Sequence, residues 1–288
     1  MLMRGTFESS RRMHEGFWRK SADASFEVRG KKLGIIGYGH IGSQVSILAE
    51  SLGMEALFYD VRDVLAIGTA KRLRTMKDLL READIVTLHV PDTAATRGLI
   101  GAVELKMMKK GAWLINTSRG SVVRIDALRD ALVSGRLRGA AVDVFPSEPS
   151  SDGPGWSNPL QGLANVILTP HVAGSTQEAQ REIGASAAEK MIRFLTSGGT
   201  AGAVNFPQLE LPELSRRHRL IHIHRNVPGV ISHVGAELSR HKINIEGQHL
   251  ETTKDLGYLV TDFDQRSSPE LESDLAAIPN TIRVRILY

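Results

Sequence analysis

The chain has 288 residues, a formal net charge of +4 and no cysteine, with 42% hydrophobic and 24% charged residues. This composition is typical of a globular protein of about two domains, and the absence of cysteine excludes disulfides and thiolate metal sites. Because the basic residues are dispersed and no apolar run reaches about 18 residues, we expect a cytoplasmic protein that binds neither nucleic acid nor membrane.

Residues 1–30 are polar with scattered aromatic side chains, and they predict a helical lead-in to the first strand. Residues 31–174 then alternate short apolar segments with amphipathic ones. The predicted strands are 33–37, 55–60, 84–90, 112–117, 138–144 and 165–170, and the predicted helices are 40–52, 76–82, 102–108 and 125–134. Such alternation predicts an α/β fold, a doubly wound parallel sheet of the Rossmann type with helices on both faces.

Gly37, Gly39 and Gly42 form the pattern Gly-x-Gly-x-x-Gly between the first predicted strand and the first predicted helix. In this position the pattern places backbone N–H groups and a helix N-terminus around a pyrophosphate. Asp60 ends the next strand, 18 residues after Gly42, near the spacing of about 20 expected for a carboxylate that binds ribose hydroxyls. Because a carboxylate repels a 2′-phosphate, the pattern favours NAD over NADP. The alternative is a glycine-rich turn that binds no nucleotide.

Arg119, Glu148 and His171 each follow one of the last three predicted strands of this region. Since the carboxyl ends of parallel strands meet at one edge of a sheet, we expect these side chains in one crevice with the glycine loop. The set suits oxidation of a 2-hydroxy acid: His171 takes the hydroxyl proton, Glu148 orients the imidazole, and Arg119 binds a carboxylate or ketone oxygen. Asp143 is a candidate acceptor for the nicotinamide carboxamide. Taken singly, each of these residues is also compatible with a structural role in a turn, a helix cap or a solvated loop.

The remainder of the chain predicts a long helix at 175–197, a linker and a second, smaller fold. The predicted strands of that fold are 219–224, 243–250, 256–263 and 281–287, and its helices are 229–241 and 269–277. This βαββαβ order predicts a ferredoxin-like unit. The predicted division is a lead-in at 1–30, a nucleotide-binding domain at 31–174, a helix at 175–200, a linker at 201–218 and a small domain at 219–288.

Three motifs resemble those of the D-isomer-specific 2-hydroxyacid dehydrogenases: Gly-Tyr-Gly-His-Ile-Gly at 37–42, Val-Thr-Leu-His-Val-Pro at 86–91 and Thr-Pro-His-Val-Ala-Gly-Ser-Thr-Gln-Glu-Ala at 169–179. The resemblance implies that Arg119 binds substrate, Glu148 is the partner acid and His171 transfers the proton. It also implies NAD as cofactor. The positions that match NAD contacts are Gly37, Gly39, His40, Ile41, Gly42, Asp60, Thr117, Ser118, Arg119, Asp143, His171 and Gly174.

Within that family the chain is similar to members that oxidise 3-phosphoglycerate to 3-phosphohydroxypyruvate in the first step of L-serine biosynthesis. Its last region resembles an ACT domain, which in these members binds L-serine between two subunits and inhibits the enzyme. The resemblance therefore implies a homo-oligomer, a dimer or tetramer, with His224, Asn226 and Asn244 as effector-binding residues. We expect no metal site; a site formed by His218, His222 and His224 is the weaker alternative.

The chain also differs from the family pattern. Relatives carry a substrate lobe ahead of the glycine loop, and only 36 residues precede Gly37 here, which predicts a member truncated at its N-terminus. Arg216–Arg217 occupy the place of a glycine pair that acts as a hinge in relatives. Two alternatives to the 3-phosphoglycerate reaction stay open: an inactive fragment that binds NAD and serine, and a dehydrogenase of another D-2-hydroxy acid such as 2-hydroxyglutarate.

Overall fold

The computed structural model of this chain describes residues 1–212, 214, 218–264 and 269–288. These residues form two compact units, Met1–Thr176 and Gln177–Tyr288. Arg216–Arg217, the predicted replacement of a hinge glycine pair, lie outside the described residues. None of the helices in the described part of the chain has the length and apolar character needed to cross a membrane.

The first unit is a parallel sheet with helices on both faces. In chain order its elements are α1 (Thr6–His14), β1 (Lys32–Ile36), α2 (His40–Ser51), β2 (Glu55–Tyr59), β3 (Lys71–Arg72), α3 (Met76–Glu82), β4 (Ile85–Leu88), α4 (Ala102–Met107), β5 (Ala112–Asn116), α5 (Ile125–Val133), β6 (Leu137–Val142) and β7 (Val166–Leu168). The strand order is β3-β2-β1-β4-β5-β6-β7. The order reverses between β1 and β4, and in doubly wound sheets ligands bind beyond the carboxyl ends of the strands at such a point.

Two hydrophobic clusters cover the two faces of this sheet. Ile35 of β1 is fully buried in one cluster, with Ala49 of α2. The next residue, Ile36, packs in the other cluster with Leu79 of α3 and Leu128 of α5. Because both faces of the central strands β1, β2, β4 and β5 are buried, these strands have the continuous apolar sequences from which they are predicted.

The second unit contains the long helix and the small antiparallel sheet. In chain order its elements are α6 (Gln177–Ser197), β8 (His218–Arg225), α7 (Val230–Arg240), β9 (Ile245–Thr252), β10 (Leu256–Phe263), α8 (Pro269–Ala276) and β11 (Thr281–Leu287). The strand order is β11-β8-β10-β9, with every pair antiparallel. The predicted fold class, a doubly wound sheet followed by a βαββαβ unit, is confirmed, and the bounds of the predicted helices and strands differ by at most two residues.

The segment that follows α6 packs on the small sheet. Phe206 and Leu209 contact a cluster that includes the buried Tyr258 of β10. Arg219, only 1% exposed, forms a bidentate pair with Asp262 at 2.6 and 2.7 Å. The same guanidinium donates to the carbonyl oxygens of Ser197 and Pro212. The end of α6 and the segment up to residue 212 are therefore fixed to the second unit.

A pair of buried histidines lies on β8. The Nδ1 atoms of His222 and His224 are 3.3 Å apart, and Nε2 of His222 lies 2.9 Å from Oγ1 of Thr281. Burial lowers the pKa of His222 to about 4, and repulsion from His224 contributes to the same shift. His222 is therefore neutral in the folded unit at every pH above about 4.

We expect His222 to make the second unit sensitive to acid. A histidine in an unfolded chain takes up a proton near pH 6.5, so the unfolded state binds more protons than the folded state between pH 6.5 and about 4. The unfolding free energy should fall by up to about 3 kcal/mol across this window as the pH is lowered. Urea unfolding at several pH values, compared between wild type and His222→Gln, measures this slope.

The exposed His233 of α7 offers a matched control. His233→Gln should keep the wild-type dependence of the unfolding free energy on pH, whereas His222→Gln should reduce it; the remaining dependence includes His89 and His224, whose pKa values are also lowered by burial. Identical slopes for all three chains would contradict the assignment of this acid sensitivity to His222.

Candidate active site

In the glycine loop between β1 and α2, two of the three glycines are packed against backbone atoms, and the third has space around it. Gly37 has a φ of +91°, and a Cβ there would lie 2.3 Å from the carbonyl oxygen of His89. A Cβ at Gly42 would lie 2.1 Å from the carbonyl oxygen of Gly37. At Gly39 the nearest atom to a Cβ would be a guanidinium nitrogen of Arg62, 3.7 Å away. The backbone above Gly39 is therefore accessible to a ligand.

Helix α2 begins at His40, directly after this opening. None of the described side chains caps its first turn, so its N-terminal N–H groups are available to an anion. His40 and Ile41, both predicted NAD contacts, are exposed here, and the side chain of Ile41 is 65% exposed. Open backbone at Gly39 and an uncapped helix N-terminus together fit the pyrophosphate of a dinucleotide.

Asp60, at the end of β2, is a buried and ionised carboxylate beside the glycine loop. Its Oδ2 accepts a hydrogen bond from the N–H of Tyr38 at 2.7 Å, and its Oδ1 accepts one from the N–H of Arg62 at 2.8 Å. Burial alone would raise the pKa of Asp60, but these hydrogen bonds and the charge of Arg62 lower it below its ordinary value. Each oxygen keeps a lone pair for a ribose hydroxyl, so Asp60 fits the predicted role.

Asn116, fully buried at the end of β5, orders the loop that carries Arg119. Its Oδ1 accepts hydrogen bonds from the N–H and the hydroxyl of Ser118, and its Nδ2 donates to the carbonyl of Arg119. Ser118 is buried, whereas Thr117 and Arg119 are exposed. The guanidinium of Arg119 donates to the carbonyl of Ser118 at 2.6 Å. Sequence reasoning missed Asn116, whose role appears only from these contacts.

Gly120 brings the Arg119 loop against the segment that follows β6. A Cβ at Gly120 would lie 2.0 Å from the carbonyl carbon of Phe145 and 2.5 Å from the nitrogen of Pro146, so only glycine permits this approach. The N–H of Phe145 donates to Oε1 of Glu148 at 2.9 Å. The backbone beside Arg119 therefore touches the loop that positions Glu148.

His171 and Glu148 form a direct pair. Nδ1 of His171 lies 2.8 Å from Oε2 of Glu148, and the two side chains are 49% and 35% exposed. Burial raises the pKa of Glu148, but hydrogen bonds from His171 and from the N–H of Phe145 lower it below its ordinary value. An ionised carboxylate only accepts hydrogen bonds, so Nδ1 of His171 donates the proton in this pair. In the neutral imidazole, Nε2 is then the ring atom that can accept a proton.

Asp143 holds the backbone of the His171 loop. Its Oδ1 accepts hydrogen bonds from the hydroxyl of Thr169 at 2.6 Å and from the N–H of Val172 at 2.9 Å, and its Oδ2 accepts one from the N–H of Ala173 at 3.1 Å. His171 itself has a φ of +55°, in the left-handed region. The side chain predicted as an acceptor for the cofactor amide thus has a role in the loop as well, and Gly174 follows on the same loop.

The structure brings the three predicted catalytic residues to one edge of the sheet. Arg119, Glu148 and His171 follow β5, β6 and β7, which are neighbours, and the contacts through Gly120 and Phe145 connect their loops. Sequence reasoning also missed Arg62 beside Asp60. The sequence feature that could have indicated Arg62 is a basic residue two positions after Asp60, the acid that follows β2.

The predicted effector residues of the second unit lie in two places. His224, 2% exposed, pairs with Gly257 at one end of β10. Asn226 is exposed near this end, and its Nδ2 donates to the carbonyl of Thr253 at 2.8 Å. Asn244 precedes Ile245, which pairs with Phe263 at the opposite end of β10. At about 3.4 Å per residue, this places Asn244 about 20 Å from His224 within one chain.

Comparison with known proteins gives matches over both units. A family profile described as D-isomer specific 2-hydroxyacid dehydrogenase, NAD binding domain, matches residues 1–173, and one described as AHAS small subunit-like ACT domain matches residues 220–283. The curated relatives include proteins named D-3-phosphoglycerate dehydrogenase from Dictyostelium discoideum, 48% identical over 287 residues, and from Escherichia coli strain K12, 48% identical over 290 residues. Each match covers 100% of this chain and 70% of the relative.

A solved structure is similar to about two thirds of this chain. It is the NAD-complexed form of a D-isomer specific 2-hydroxyacid dehydrogenase from Lactobacillus delbrueckii ssp. bulgaricus, with a TM-score of 0.61 and 31% sequence identity. The match covers 68% of this chain and 64% of that chain.

Replacement of Asp143 by asparagine should release the His171 loop. An amide has one acceptor oxygen in place of two and presents an NH2 group to the N–H groups of Val172 and Ala173. We expect the unfolding free energy to fall by about 2 kcal/mol and the amides of both residues to lose protection from hydrogen exchange. Urea unfolding and amide exchange measure these effects.

Asp130→Asn is the matched control, because the carboxylate of Asp130 is exposed and lies 3.7 Å from its nearest cation. It should change neither the stability nor the exchange rates. Unaltered protection of Val172 and Ala173 in Asp143→Asn would contradict the role of Asp143 in the loop.

Proposed function

Because the chain belongs to the D-isomer-specific 2-hydroxyacid dehydrogenases, a family of NAD-dependent oxidoreductases, we propose that it oxidises 3-phosphoglycerate to 3-phosphohydroxypyruvate. This reaction is the first step of L-serine biosynthesis. The observation that carries the proposal is the His171–Glu148 pair at 2.8 Å, in a chain 48% identical to proteins named D-3-phosphoglycerate dehydrogenase.

The exposed side chains at the edge of the sheet support this chemistry. Nε2 of His171 takes the proton of the 2-hydroxyl group, and the carboxylate of Glu148 stabilises the imidazolium that results. The guanidinium of Arg119 binds the substrate carboxylate and the oxygen that becomes the ketone. NAD, when bound, supplies the acceptor for the hydride that leaves C2. The glycine loop, the first turn of α2 and Asp60 are the groups that would hold it.

Formation of NADH with 3-phosphoglycerate at alkaline pH tests the reaction. We expect turnover by the wild-type chain and a loss of about 100-fold or more in His171→Ala, because general-base catalysis contributes about 10²–10⁴-fold. Glu148→Gln should retain the hydrogen bond to His171 but lose the stabilisation of the imidazolium, so its activity should fall less. His14→Ala, at an exposed histidine of α1, should have wild-type activity.

The same assay, together with calorimetric titration of NAD, separates the alternatives. NAD binding without turnover of any 2-hydroxy acid would identify an inactive binding fragment and reject the proposal. Faster turnover of D-2-hydroxyglutarate than of 3-phosphoglycerate would assign a different substrate. Near-normal rates in His171→Ala would reject the role of His171.

We further propose that L-serine regulates the enzyme and binds between two copies of the chain. His224 and Asn226 lie near one end of β10, whereas Asn244 lies near the other. A single amino acid cannot contact both sets across about 20 Å. We infer that a two-fold related pair of ACT units places Asn244 of one copy beside Asn226 of the other, and in an isologous interface this contact occurs twice. This arrangement favours a dimer, or a tetramer built from dimers.

Complementation between two inactive variants tests the shared site. Asn226→Ala and Asn244→Ala should each bind no L-serine in calorimetry. When the two are co-expressed, half of the dimers carry one intact site, so we expect about one quarter of the wild-type sites to return. D-Serine serves as the control ligand. No recovery in the co-expressed mixture would contradict a site formed by two copies.

A further inference from the structure

Arg62, which was not among the residues predicted from the sequence, lies beside the carboxylate that fits a ribose. Its backbone N–H donates to Oδ1 of Asp60 at 2.8 Å, and its side-chain Nε lies 3.5 Å from the same oxygen. Its Nη2 lies 3.7 Å from the position of a Cβ built on Gly39. The guanidinium is therefore located between the carboxylate of Asp60 and the accessible backbone at Gly39.

This guanidinium has hydrogen-bond donors available for a ligand. The side chain is 69% exposed, and its nearest contact with Asp60, from Nε to Oδ1, is long at 3.5 Å. Across the described ranges, 1–212, 214, 218–264 and 269–288, Arg62 forms no second ion pair. The neighbouring acid Asp63 pairs with Arg72, so its charge is already balanced by that guanidinium. The N–H donors of the planar guanidinium of Arg62 therefore remain available to a ligand at the adenosine end of the proposed nucleotide site.

We infer that Arg62 binds a phosphate group on the 2′-oxygen of the adenosine ribose, so that this chain accepts NADP as well as NAD. The inference rests on the nucleotide site of the proposed function. A ribose whose hydroxyls face Asp60 has its 2′-oxygen near that carboxylate. A phosphate there is repelled by Asp60 and attracted by Arg62, whose fork matches two phosphate oxygens.

The exposure of the two side chains explains how both ligands are accommodated. The side chain of Asp60 is 7% exposed and fixed by two backbone N–H groups, whereas that of Arg62 is 69% exposed. Arg62 can therefore move outward with a phosphate while Asp60 stays in place. NAD keeps the higher affinity, because only a free 2′-hydroxyl donates a hydrogen bond to Asp60. The preference for NAD predicted from the sequence is retained, and the discrimination against NADP is reduced.

Titration of the full chain with NADH and with NADPH, followed by nucleotide fluorescence, tests this subsite without turnover. Wild type should bind both, NADH more tightly. Arg62→Gln should weaken NADPH binding by about tenfold or more and NADH binding by less than about threefold, since the charge-assisted hydrogen bonds to the 2′-phosphate are lost only from the NADPH complex. Arg62→Lys should keep part of the NADPH affinity. Added salt should weaken NADPH binding more than NADH binding in wild type, but not in Arg62→Gln.

Arg81→Gln provides the matched control, because Arg81 is an exposed arginine in the last turn of α3, away from the glycine loop. It should leave both affinities unchanged. Equal effects of Arg62→Gln on the two nucleotides, or no NADPH binding by wild type, would overturn the 2′-phosphate subsite alone. A chain that binds neither nucleotide would overturn the proposed function together with this inference.

Discussion

The carboxylate of Asp143 holds the loop that carries His171, and the candidate active site depends on this interaction. A left-handed conformation such as that of His171 costs a residue with a side chain about 1–3 kcal/mol. Three hydrogen bonds to a buried, charged acceptor, each worth about 1.5–3 kcal/mol, offset that cost. The turn directs the imidazole to Glu148, so a side chain at the end of β6 positions the pair that we propose for proton transfer.

Close approach of backbone segments is the second constraint on this edge of the sheet. Gly42 packs against the carbonyl of Gly37, and Gly120 packs against Phe145. A methyl group at either position would separate the two segments, because its carbon would lie about 2 Å from a backbone atom. The first contact shapes the nucleotide loop, and the second joins the Arg119 loop to the Glu148 loop. The second contact arises where the parallel strands β5 and β6 end side by side, which is the property of the fold that gathers these residues.

The sequence predicted the features that depend on local pattern. The fold class, the family and NAD as cofactor are confirmed, because apolar strands, the glycine spacing and long motifs are all readable along the chain. The roles of individual site residues stay predictions. The two-residue strand β3 was not predicted, since its exposed Lys71 and Arg72 give no apolar run and pair only with β2 at the edge. The contacts of Asp143 and Asn116 were not predictable, since they are defined by atoms that meet only after folding.

Arg219 and Arg62 differ in burial and in hydrogen-bond partners. These two properties, rather than the residue type, distinguish an arginine that stabilises the fold from one that is available to bind a ligand. The guanidinium of Arg219 is 1% exposed, and its nitrogens meet both carboxylate oxygens of Asp262 and two carbonyl oxygens. An unpaired charge at that depth would cost several kcal/mol, so its partners are a condition for folding. Arg62 stays hydrated, and its ion pair is worth about 0–1 kcal/mol to the fold. Because the ion pair of Arg62 with Asp60 contributes so little to stability, its guanidinium remains available to pair with a charged ligand.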